Sequence, residues 1–133
     1  MTHTRTFPHQ PDSVPAARRF ATGVLRALPA DTLEAVELMV SELATNCIRH
    51  TDSGFELKII RLGGDIRVSA TDGAGGMPEM RSPAPTEPSG RGLKIIDMLS
   101  SDWGVEQTAS AGKTVWFTVP DRAPASARQA SRA

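Results

Sequence analysis

The sequence holds a single cysteine, Cys47, which excludes an internal disulfide framework and fits a reducing compartment. It has no excess of either charge: fifteen Lys and Arg stand against fifteen Asp and Glu. Electrostatics therefore give no reason to expect direct nucleic-acid binding. No apolar run is long enough to span a bilayer, and residues 1–10 contain nothing like the apolar stretch of a secretory signal. The phosphate-binding pattern G-x-x-x-x-G-K-[ST] is absent too, so any phosphate site must be of another design. No internal repeat is visible. The 133 residues suit one domain with a modest core, and the expectation is a cytoplasmic α/β domain without membrane contact.

Periodicity orders the chain. Residues 2–8 alternate weakly and predict a short edge strand. Pro11, Asp12 and Ser13 look like a helix start with a capping side chain. Val14, Ala17, Ala21, Val24, Leu25 and Leu28 then mark a stripe over 14–28, ended by Pro29. Asp31 to Glu34 reads as a capping box opening a second helix, whose stripe is Val36, Val40, Leu43 and Cys47. Phe55, Leu57, Ile59 and Leu62 predict a strand, and Ile66, Val68 and Ala70 another. Gly63 and Gly64 between them signal a hairpin. Residues 72–90 form the longest irregular stretch, of a length typical of a functional lid or a disordered segment. A helix over 91–99 and strands over 102–108 and 113–119 complete the pattern, with Trp103 and Trp116 read as core. The domain is expected to span 1–120, and 121–133 has too little apolar surface to fold. The fold class expected is an α/β two-layer sandwich, helices on one face of a mixed, mostly antiparallel sheet.

Three stretches carry chemistry. In SELATNCIRH, residues 41–50, the side chains of Glu42, Asn46 and His50 recur at i, i+4 on one helix face. At about 100° per residue they border the apolar stripe. An amide oxygen such as that of Asn46 suits Mg²⁺ shared with phosphate oxygens, and Glu42 one turn earlier can accept a proton. A solvated helix face explains the same residues, and His50 and Arg49 can equally be cations at a helix C-terminus. Asp72 follows a strand and precedes Gly73, Gly75 and Gly76; it reads either as a tight turn or as a carboxylate accepting the amino group of a purine. Gly90, Arg91, Gly92 and Leu93 open a helix, where exposed N–H groups and the dipole favour phosphate, although a flexible hinge before an ordinary helix explains the same glycines. Thr114 lies on a late strand; its hydroxyl can bond to Asp72 or to a base, although a strand threonine needs no such role.

Taken together, SELATNCIRH, TDGAGG, SGRGLKIID and GKTVWF resemble the Bergerat-type ATP-binding fold shared by DNA gyrase, Hsp90, histidine kinases and MutL. Within it the chain is most similar to the anti-sigma factor serine/threonine kinases of actinobacterial, single-domain type, over roughly residues 7–119. The resemblance implies ATP and Mg²⁺ as cofactors. It matches Asn46 to the metal-binding asparagine, Glu42 to the acid that activates the attacking serine, and Asp72 to the adenine-reading aspartate. Gly90 and Gly92 match the phosphate-wrapping glycines, and Thr114 the threonine near the adenine. Arg49, His50, Gly75, Gly76, Arg91 and Leu93 complete the implied nucleotide set.

The implied partners are an anti-anti-sigma protein of STAS type, a sigma factor and a second copy of the chain, with no nucleic acid and no membrane. Within these residues there is no phospho-accepting histidine domain, sensor or transducer module, which sets the histidine kinases, gyrase, MutL and Hsp90 aside. The family loop usually reads D-x-G-x-G; here Ala74 takes the first glycine place. The stretch 77–89 is also short and proline-rich. These departures keep a second reading open, a non-catalytic ATP/ADP switch acting by protein association.

Overall fold

In the computed structural model the described residues are 1–50, 53–72, 88–107 and 112–121, with the side chains of 50 and 88–92 outside the description. Among them, five strands form one sheet: β1 (Thr2–Phe7), β2 (Phe55–Leu62), β3 (Asp65–Asp72), β4 (Asp102–Gln107) and β5 (Lys113–Pro120). Their order is β1-β2-β3-β5-β4. The expected two-layer sandwich is present, and all four described strand pairs are antiparallel. Helices α1 (Ser13–Val24), α2 (Ala30–His50) and α3 (Pro88–Leu99) cover one face. No helix among the described residues is long and apolar enough to cross a membrane.

The pleat divides the sheet. Leu57, Ile59, Ile66, Val68, Ala70, Val115, Phe117 and Val119 alternate toward the helices and are buried. Against them α2 lays Val36, Met39, Val40, Leu43, Ala44 and Cys47, a stripe wider than the four residues read from spacing. Each large apolar side chain so buried contributes about 1.5–3 kcal/mol. Helix α2 is central: it packs against α1, α3, β3 and β5, and the guanidinium of Arg18 in α1 donates to Ser41 Oγ at 3.0 Å.

Several local expectations are corrected. Asp12 precedes α1 but makes no side-chain cap; Ser13 Oγ instead donates to Pro8 O at 2.6 Å, tying the helix start to the end of β1. Helix α1 stops at Val24, yet Leu25 and Leu28 are still buried, because a turn in which Leu28 N donates to Leu25 O keeps both inward. Helix α2 begins one residue before Asp31, its Pro29 carbonyl taking the Leu33 N–H. Asp31 therefore sits in the first turn, where a carboxylate favours the dipole. Helix α3 begins at Pro88, three residues before the expected start, as a proline in a first helical turn allows. Trp116 is not core: it lies on the face away from the helices, under the Arg67 guanidinium at 4.2 Å from the ring centroid.

The hairpin turn is as read, with Gly63 at φ +67°, a conformation glycine adopts freely. The last described strand, β5, ends at Pro120. The expected lid over 77–89 falls largely outside the described residues, as does the expected tail beyond 121.

Candidate nucleotide site

The last turns of α2 and the closing end of β3 meet. Strand β2 follows α2 in the chain, and its first residue, Phe55, pairs with Asp72. Behind this end stand stacked Phe7 and Phe55, their ring centroids 5.3 Å apart. The chain enters β2 at Gly54, where a Cβ would strike the carbonyl oxygen of Phe7.

Asp72 is only 5% exposed. A carboxylate taken that far out of water needs partners. One is the main-chain N–H of Lys113, which donates to Asp72 Oδ1 at 3.2 Å; the two residues are paired in the β3–β5 register. The neighbouring thiol reports the local field. Burial pushes the Cys47 thiol up to about 12, the negative charge of Asp72 adds to that rise, and the positive charge of Lys113 opposes it. Cys47 follows Asn46 directly in α2. The helix stretch carrying Asn46 and the carboxylate of Asp72 therefore share one end of the molecule.

Glu42 and Asn46 are half-buried at the margin of the α2 stripe, while Arg49 is exposed. A margin position leaves the amide and carboxylate open to a ligand while the backbone beneath is held by the core. Among the described residues no group of three or more His, Cys, Asp or Glu side chains could hold a metal. A cation here would rest on Asn46, water and the ligand's own oxygens, an arrangement that fits Mg²⁺.

Gly90, Arg91 and Gly92 fall in the first turns of α3, and Leu93 is half-buried against the core. At its other end α3 hands over to β4 where Ser101 N donates to Thr118 O, remote from Asp72 along β5. The glycine-rich turn lies about 12 Å back along the helix from there. Gly75, Gly76 and the side chains of His50 and Arg91 lie outside the described residues.

Thr114 is placed otherwise than expected. Its hydroxyl shares a 2.7 Å hydrogen bond with Thr71 Oγ1. Both residues alternate onto the face away from the helices, opposite the side chain of Asp72. The β5 position on the Asp72 side is Lys113, which the sequence reading passed over. Counting back by twos from Val119, Phe117 and Val115 leads to it.

Residues 7–119 match the histidine kinase-like ATPase domain. No curated protein matches the chain. Among solved structures, a chain in the crystal structure of the SiaB–SiaC complex from Pseudomonas aeruginosa is similar at TM-score 0.62 and 13% identity, over 88% of this chain and 88% of that one. That likeness is one of fold.

Proposed function

The chain belongs to the histidine kinase-like ATPase domain family, and from that premise we propose that it is an ATP-dependent serine/threonine kinase of the anti-sigma-factor type. The observation that carries the reading is the shared end of α2 and β3, where the charge of Asp72 acts on the residue beside Asn46. One ligand can then be held at both ends, its base at Asp72 and its phosphates near Asn46. A similar fold found in a complex with a second protein supports a role exercised through partners. Those proposed are a STAS-type anti-anti-sigma protein as phosphoryl acceptor, a sigma factor, and a second copy of the chain.

Each residue has a role in this reading. The Asp72 carboxylate accepts the adenine amino group. Asn46 would hold Mg²⁺, which when bound would offset the charge of the phosphates. The N–H of Gly90, in the first turn of α3, faces the phosphate chain, with Gly92 in the turn that follows and Arg49, His50 and Arg91 adding positive charge. The serine oxygen of the partner attacks the γ-phosphorus, and the bond from that phosphorus to the β,γ-bridging oxygen breaks. ADP leaves, and the serine proton passes to Glu42.

The test incubates the protein with γ-labelled ATP and a serine-bearing STAS partner. Glu42→Ala is expected to lower transfer by roughly 10²–10⁴-fold with ATP affinity little changed in calorimetry. A wild-type protein that binds ATP yet labels no partner serine refutes the kinase reading. Ala74 in the aspartate loop favours the second reading, a nucleotide-dependent association switch. Partner regulation that survives Glu42→Ala intact selects the switch.

A further inference from the structure

Lys113 is the one cation that the β3–β5 register sets directly opposite Asp72. Its main-chain N–H already holds Asp72 Oδ1. By alternation with the buried Val115, Phe117 and Val119, its side chain lies on the helix-covered face. It is half-buried, not extended into solvent. Its charge is felt at the Cys47 thiol in the sense opposite to that of Asp72, so the ammonium and the carboxylate flank the same end of α2. Side by side they present a donor and an acceptor. The edge of adenine offers the complement, an amino donor with a ring-nitrogen acceptor on either side of it. Guanine puts a carbonyl where the amino group stands, against the carboxylate.

We infer that Lys113 is a specificity-determining residue of the nucleotide site, its ammonium donating to the adenine ring nitrogen beside the amino group that Asp72 accepts. This rests on the reading of Asp72 as the base contact. A purely structural lysine would affect every nucleotide alike, whereas a base contact separates analogues that differ by one ring atom.

The experiment measures the affinity of the full chain for ATP, 1-deaza-ATP and 7-deaza-ATP by calorimetry, for the wild type and for Lys113→Met, Lys113→Arg and Asp72→Asn. The wild type is expected to bind one of the two deaza analogues about tenfold more weakly than ATP. Lys113→Met should weaken ATP by about the same factor and erase that difference. Lys113→Arg, which keeps a cationic donor, should retain part of it. Equal wild-type affinity for all three nucleotides overturns the inference, and so does a Lys113→Met variant with unchanged ratios. If Asp72→Asn weakens ATP while Lys113→Met leaves the ratios alone, only the role of Lys113 fails. If Asp72→Asn leaves ATP binding intact, or the wild type binds no ATP, the base reading fails and takes this one with it.

Discussion

A thiol sealed between a helix and the end of two central strands behaves differently from one in water. Cys47 is 6% exposed and its ionisation is pushed up from 9.0 to about 12. The unfolded chain loses this proton near pH 9 and the folded one does not. Between those values the native state binds more protons than the unfolded state, so rising pH favours unfolding. The contribution is complete below about pH 9 and is lost as pH climbs toward 12. Urea denaturation at several pH values should therefore show wild-type stability falling faster above pH 9 than that of Cys47→Ala. Parallel curves would show that the thiol ionises alike in both states. The same residue shows what single positions disclose. Cys47 was legible as an apolar stripe member because its spacing is helical. That it senses Asp72 and Lys113 was not, because those lie 25 and 66 residues away in sequence and meet it only through the sheet.

At the scale of elements, close approach matters more than propensity. Gly54 enters β2 with no room for a Cβ beside the Phe7 carbonyl, and that obstacle is backbone paired in the β1–β2 register. Gly54→Ala should cost about 1–3 kcal/mol and loosen the edge strand first; hydrogen exchange of β1 amides, faster in the variant than those of β3, checks this. Alternation made β1, β2 and β3 readable, and the glycine pair made their hairpin readable. Helix ends were less so. Ser13, not Asp12, makes the tie at the start of α1, its hydroxyl joining Gln10 N on the Pro8 carbonyl outside the helix. Thr114 and Trp116 were misplaced for one shared reason: an apolar strand was read without asking which of its two faces meets the helices. The register answers it, pairing Thr114 with Thr71 and Trp116 with Ser69 on the face away from the helices, where Arg67 covers the Trp116 ring.

For the molecule as a whole, α2 is both keystone and carrier of Glu42 and Asn46. Leu43, between them and 1% exposed, belongs to the cluster that joins the helices to the sheet. Leu43→Ala should lower the free energy of unfolding by about 2–5 kcal/mol in a single transition, read from the urea midpoint at constant slope. A loss below about 0.5 kcal/mol, the size of an ordinary surface change, would mean that this helix is not what holds the layers together. The two-layer plan was legible because each layer carries its own period. The proposed site rests on its helix and its aspartate, whose residue types are tied to their chemistry.

The far end of the sheet is fastened differently. There Arg61 and Asp121 form an ion pair at 2.6 Å, and Asp121 N donates to Gly64 O beside the hairpin. The backbone is thus moored at residue 121, roughly a strand's length or about 26 Å from Asp72. A fluorophore, affinity handle or fused reporter attached beyond that mooring starts from the end of the sheet opposite the proposed nucleotide site. Such attachments offer a way to follow ligand capture without obstructing it.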